Sequence, residues 1–216
     1  MSTVANPTYR QRVGYQAGLL GGFALVAAAL LVMGDIATHE AIAEREAEDL
    51  LASLAEVIPP ALHDNDLLAN TLTLTIDGAD GAVEDLTVYR ALQGLDVSAV
   101  AYEVTGQGYA GAIQVLLGIG ADGRVLGARV LSHAETPGLG DKIEKDSAFV
   151  GEFRGALAPL VGVKPGKATG AGGEIDMITG ATISSQAIVD IINARLAEVG
   201  DPLGRYWGES IPSEGR

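Results

Sequence analysis

The feature that most restricts the fold lies near the N-terminus, where Val13 to Gly34, VGYQAGLLGGFALVAAALLVMG, runs for 22 residues without a charged side chain. As a helix rising about 1.5 Å per residue it spans about 33 Å, enough to cross a hydrocarbon core. Such a segment is either lodged in a membrane or removed as a signal peptide. It exceeds the usual apolar core of a signal peptide and no A-x-A site follows it, so the sequence predicts an uncleaved single-pass anchor. Arg10 and Arg12 precede the run, whereas Asp35, Glu40 and Glu44 follow it. The basic flank predicts a cytoplasmic N-terminus at residues 1–12, a transmembrane helix at 13–34, and the bulk of the chain outside the cytoplasm, on a bacterial inner membrane. Gly18 and Gly22 form a G-x-x-x-G pair that lets a second membrane helix approach, although Gly is also common in membrane helices generally.

The remainder is charged in the opposite sense. Twenty-eight acidic residues stand against 14 basic ones, giving a net charge of -14, while 48% of the residues are hydrophobic. Clustered carboxylates repel a phosphate backbone, so nucleic acid is excluded as a partner. No cysteine is present, and His39, His63 and His133 are too scattered for metal-ligand spacing. Metal sites, thiolate chemistry and Cys-ligated clusters drop out together, and a redox role needs an organic cofactor.

Residues 35–60 carry Ala and Leu at helical spacing with an acidic opposite face, ended by Pro59-Pro60, and read as a stalk continuing the anchor. Residues 61–200 read as the main domain, an α+β fold with an antiparallel sheet and packed helices. LTLTID, Leu72 to Asp77, alternates as a strand does, whereas the following GADGAVEDLTVYRALQG is irregular. VSAVAYEVTG, GAIQVLLGIG and RVLGARVLSH are three β-rich runs, and Asp122-Gly123 joins the last two as a hairpin. A Pro/Gly turn, helical material, a Gly- and Lys-rich loop and a final helix complete the domain. Residues 201–216 form a C-terminal tail in which Tyr206 and Trp207 are candidate packing residues.

Two motifs are discounted. Gly106-Gln107-Gly108-Tyr109-Ala110-Gly111 fits G-x-G-x-x-G, but a dinucleotide fingerprint opens a helix, and AIQVLLGIG has strand composition. Gly166-Lys167 resembles the end of a P-loop, but Ala168 stands where Ser or Thr should be. What remains is DMITGATISSQAIVDIINARLAEV, Asp176 to Val199. Its helix has an apolar face of Ile183, Ala187, Ile188, Ile191, Ile192 and Leu196. The hydroxyls before it admit two readings. Thr182, Ser184 or Ser185 caps the helix, or bare Gly180 and Ala181 let a phosphate reach the free amides of the first turn.

Asp176-Met177-Ile178-Thr179-Gly180-Ala181-Thr182 resembles the D-x-x-[ST]-G-A-T signature at which an ApbE-type flavin transferase esterifies the phosphate of FMN to a threonine hydroxyl. HAETPGLGDKI, His133 to Ile143, is similar to the E-T-P-G-L-G segment of the same FMN-binding family, which includes the G subunit of Rnf electron-transport complexes and the C subunit of the sodium-pumping NADH:quinone reductase. The wording GYAGAI and ETPGLGDKIE is closer to the Rnf protein. The resemblance implies that Thr182 is the covalent acceptor, with Asp176, Thr179, Gly180 and Ala181 completing the motif. It further implies that Thr136 and Leu139 flank the flavin after Glu135, with Gly138 and Gly140 permitting the turn to approach. Gly108 and Tyr109 match another family position, and Ser184 and Ser185 stand where Thr-Ser is frequent.

The function so implied is a membrane-anchored electron carrier without catalytic residues of its own. It relays electrons through covalent FMN in a redox-driven ion translocase of the ferredoxin:NAD type, beside other membrane and peripheral subunits. The alternatives are the quinone-reductase protein, a tethered binding or scaffold domain without flavin, and a hydrolase using Ser184 or Ser185. The last lacks both G-x-S-x-G and a His partner.

Overall fold

The computed structural model describes residues 13–77, 83–169 and 172–208, with no side-chain description at 145, 147 and 201–208. Arg10, Arg12 and the rest of 1–12, like the tail from 209, lie outside the described residues. Two compact units divide between Asp49 and Leu50. The first unit is the greater part of helix α1, Val13–Val57. Every side chain from Val13 to Glu46 is exposed, among them Leu19, Leu20, Phe23, Leu25 and Leu31. So much contiguous apolar surface calls for a lipid or protein surrounding, and the helix is long and apolar enough to cross a membrane.

The second unit begins with the last turns of α1 and is built around a five-stranded antiparallel meander. Strands β1 (Thr71–Asp77), β2 (Val83–Gln93), β3 (Asp96–Gln107), β4 (Ala112–Gly120) and β5 (Val125–His133) lie in chain order. Short helices α2 (Lys142–Lys145) and α3 (Ser147–Glu152) follow, then a two-stranded parallel pair, β6 (Val161–Val163) and β7 (Glu174–Asp176), and the long helix α4 (Thr182–Gly208). The α+β architecture is the expected one.

The period-2 alternation of strands gives the sheet two buried faces. On β3, Val100, Tyr102 and Val104 face a core completed by Ile188 and Ile192 of α4 and Phe153 beyond α3. Ala99 and Ala101, the residues between them, face a second core with Leu54, Val57 and Ile58 at the end of α1. The acidic segment read as a stalk therefore ends inside the domain core. The small side chains make room for it, and two glycines make more. Gly118 and Gly127 pair across β4 and β5. A Cβ on Gly118 would lie 2.4 Å from the Val57 carbonyl oxygen, and one on Gly127 would lie 3.0 Å from Val57 Cα.

The Asp122-Gly123 hairpin forms, with Gly123 at φ +77° and its amide donating to the Gly120 carbonyl at 2.9 Å. From Val83 to Gln93 the segment read as irregular is the 11-residue strand β2, and its residues 78–82 lie outside the described residues. Its Glu84 and Arg90 hide the alternation, because they share the face of Leu86 and Val88 that turns toward α4 and break its run of apolar residues. The loop read as low complexity contributes β6 and β7, each three residues long and too short to leave a pattern. Helix α4 runs to Gly208, eight residues into the expected tail. It is tied to β2 by Arg195, whose two terminal nitrogens each lie 3.0 Å from Glu84 Oε2.

Candidate functional site

Three connections converge at one end of the sheet: the β3–β4 turn, the turn after β5 and the loop into α4. In the first, Gly108 donates to the Gly111 carbonyl at 2.7 Å. In the second, the amides of Leu139 and Gly140 both donate to the Thr136 carbonyl, at 3.2 and 3.0 Å, and Gly138 at φ +79° permits the reversal. In the third, Gly180 at φ +83° turns the chain, and Ala181 donates to the Ile178 carbonyl at 3.0 Å. A side chain at either positive-φ glycine would be strained.

These turns enclose a cleft of about 300 Å³ whose walls carry Tyr109, Glu135, Thr136, Leu139, Gly180, Ala181, Thr182, Ile183 and Ser184. Two motifs some forty residues apart thus meet. At the mouth, Tyr109, Leu139 and Ile183 are 67%, 55% and 63% exposed. Three large apolar side chains exposed around one cleft form a surface suited to a flat apolar ligand.

Thr182 is the first residue of α4 and is exposed. Its Oγ1 lies 3.5 Å from the Ile178 carbonyl, beyond the usual reach of a hydroxyl hydrogen bond, so the hydroxyl is loosely held. The other hydroxyls are committed. Ser184 Oγ donates to Glu135 Oε2 at 2.5 Å. Ser185, fully buried, donates to the Ala181 carbonyl at 2.8 Å and accepts from the Ile178 amide at 3.2 Å, locking the turn in front of the helix. In these bonds none of the three serves as the side-chain cap of the first reading.

Glu135 is the hub. It is 5% exposed, and Oε1 accepts from the Ala110 amide at 3.0 Å while Oε2 takes the Ser184 hydroxyl. One carboxylate therefore joins all three turns. A Cβ on Gly108 would come within 2.4 Å of Glu135 Oε1, and one on Gly140 within 2.7 Å of Oε2. Both glycines serve to let the turns close on it. The Glu135 amide in turn donates to His133 Nδ1 at 3.2 Å, and His133 Nε2 lies 3.3 Å from Glu144 Oε2.

Asp176 and Thr179 lie apart from this cleft. Both border a neighbouring cavity of about 440 Å³ together with Lys142, whose Nζ donates to the Thr179 carbonyl at 3.4 Å. The Asp176 carboxylate accepts from three consecutive amides, Gly166, Lys167 and Ala168, at 3.0, 3.0 and 2.9 Å. The Ala168 bond, aided by those of Lys167 and Gly166 against a desolvation cost, holds its pKa below the usual carboxylate value. Asp176 thus shapes the loop behind the motif. Ile183 was read as part of the apolar helix face, but at about 100° per residue it stands about 140° from Ile188, and it points to the cleft mouth instead. That offset was available in the sequence.

Residues 108–197 match the FMN-binding domain family. Over 180 residues the chain is 52% identical to the G subunit of the ion-translocating oxidoreductase complex of Cereibacter sphaeroides, covering 82% of this chain and 80% of that protein. The protein of the same name from Stutzerimonas stutzeri is 39% identical over 183 residues, 84% of this chain and 78% of the relative. That from Vibrio cholerae is 36% identical over 200 residues, 92% of this chain and 95% of the relative. Among solved structures, the crystal structure of Shewanella oneidensis NqrC aligns with a TM-score of 0.55 at 18% identity over 73% of this chain and 77% of that one, a likeness of fold.

Proposed function

We infer that this chain, which belongs to the G-subunit family of ion-translocating oxidoreductase complexes, is the flavin-bearing electron carrier of such a complex, with FMN ester-linked through its phosphate to Thr182. The observation that carries this reading is the meeting of the loosely held Thr182 hydroxyl with Tyr109, Leu139 and Ile183 around one cleft. The residues fit the group. Exposed apolar side chains suit a planar ring, and Gly180 and Ala181 leave the first amides of α4 open to a phosphate, which the helix dipole favours.

FMN, when bound, supplies reversible transfer of one or two electrons. The chain's own part is positional. Thr182 Oγ1 would be the atom that takes the FMN phosphate: in the ApbE-type flavin transferase a phosphoanhydride bond of the flavin donor would break, and the other phosphate would leave together with the hydroxyl proton. Ser185 and Gly180 hold the turn that aims Thr182 outward, and Glu135 with Ser184 keeps the turn after β5 against the helix. Asp176 shapes the loop behind the motif. The apolar part of α1 anchors the domain to the bacterial inner membrane, with the N-terminus cytoplasmic and the flavin domain outside. The partners are the other subunits of the complex, and electrons pass between ferredoxin and NAD while ions cross the membrane.

Covalent attachment is tested by denaturing electrophoresis of the full chain made alongside the transferase. Flavin fluorescence should stay with the wild-type band and be absent from Thr182→Ala. A non-fluorescent wild-type band, or a fluorescent Thr182→Ala band, contradicts the assignment.

A further inference from the structure

Among the described residues, Glu135 is the only charged side chain lining the Thr182 cleft. Its oxygens act as acceptors to the Ala110 amide at 3.0 Å and the Ser184 hydroxyl at 2.5 Å. Among the described residues no ion pair joins Glu135 and two neutral donors hold its carboxylate, while the Lys142 ammonium stands beside Gly180, 3.6 Å from where a Cβ there would lie. The carboxylate fills the space beside two glycines: added Cβ atoms on Gly108 and Gly140 would come within 2.4 and 2.7 Å of its two oxygens. Positioning alone does not call for a charge there. A glutamine of the same shape, its amide oxygen accepting from Ala110 and its amide nitrogen donating to Ser184 Oγ, would join the same three turns.

We propose that Glu135 acts on the bound flavin through its charge: fixed in the wall of the cleft, it opposes the build-up of negative charge on the ring and so lowers the reduction potential of the carrier. The inference rests on the flavin-carrier reading. Two electrons from a reduced redox centre of the complex and one proton from solvent convert the neutral oxidised ring into a reduced ring with one net negative charge. A carboxylate nearby in a poorly screened site makes that conversion less favourable, and charge near the ring is a recognised lever on flavin electronics. A carrier so biased passes its electrons on readily.

The test compares full-length wild type, Glu135→Gln and Glu135→Asp, each made alongside the flavin transferase, purified from membranes in detergent and titrated spectroelectrochemically at one fixed pH. Glu135→Gln is expected to carry flavin and to show a midpoint potential shifted upward. Glu135→Asp, which keeps the charge, is expected to stay closer to wild type than Glu135→Gln does. A flavin-loaded Glu135→Gln protein with the wild-type potential overturns the proposal, and so do equal shifts in the two variants, which trace the effect to geometry. A Glu135→Gln protein without flavin beside a loaded Glu135→Asp protein overturns it too, because the charge then decides occupancy and does not bias a bound ring. Absence of flavin from the wild type removes the carrier reading itself, and this inference with it.

Discussion

Glu135 Oε2 accepts a 2.5 Å hydrogen bond from Ser184 Oγ, closing a contact between residues 49 apart in the sequence. The bond ties the turn after β5 to the first turn of α4, close to Thr182. Its closeness depends on Gly140, where an added Cβ would lie 2.8 Å from Glu135 Cβ and 3.0 Å from Ser184 Oγ. Gly140→Ala should therefore cost about 1–3 kcal/mol, the usual range for overpacking. Denaturant unfolding of the full chain in detergent reads it, and wild-type stability in the variant contradicts the packing described.

The cleft mouth behaves oppositely. Tyr109, Leu139 and Ile183 are largely exposed, so replacing each with Ala should change stability by no more than about 0.5 kcal/mol. The same replacements should leave the flavin attached but less ordered, seen as weakened visible circular dichroism and increased fluorescence. Unchanged flavin spectra in all three variants contradict the placement of the ring at this mouth.

Asp176 makes a pH-dependent contribution. Three amide bonds lower its folded pKa below the ordinary 3.8, the Ala168 bond foremost, and Thr169 lowers that of Glu174 by its side-chain and backbone bonds. A depressed carboxylate pKa stabilises the fold above the unfolded value, and that stabilisation fades as pH falls through the folded value. Thermal melts should show Asp176→Asn less stable than wild type at neutral pH, with the gap closing in acid below the ordinary carboxylate range. A gap independent of pH contradicts this origin.

At the opposite face of the sheet, Gly118 has no room for a side chain beneath the Val57 carbonyl. Gly118→Ala should cost about 1–3 kcal/mol by forcing backbone apart. Leu54→Ala, which empties a fully buried position, should cost about 2–5 kcal/mol. Unfolding by denaturant checks both, and small effects from both contradict the docking of the α1 end on β4 and β5.

The legible parts of the sequence were those with a strong local code. The uncharged run from Val13, the Asp122-Gly123 turn and the alternation of β1 state their structures in adjacent residues. Strand β2 was not legible because Glu84 and Arg90 interrupt the face of Leu86 and Val88, and its meaning comes from pairing with β1 and β3. The burial of Leu54 and Val57 could not be read either, since the cue is a pair of glycines some sixty to seventy residues away. In the site, the motif containing Thr182 and the Glu135–Gly140 segment were visible, and the cleft brings them together. Their division of labour was not. Glu135 and Ser184 bond to each other, Ser185 locks its own turn, and Asp176 shapes a loop outside the cleft. Side-chain direction decides these roles, and residue type alone leaves it open.

Every functional step above turns on Thr182 as the point where the flavin is attached. Intact mass and peptide mapping of the protein purified from its own membranes, with Thr182→Ala alongside, address it without intermediaries. An adduct of the mass of esterified FMN is expected on the Thr182 peptide, surviving denaturation and absent from the variant. An unmodified Thr182 peptide from cells containing an active flavin transferase contradicts the assignment.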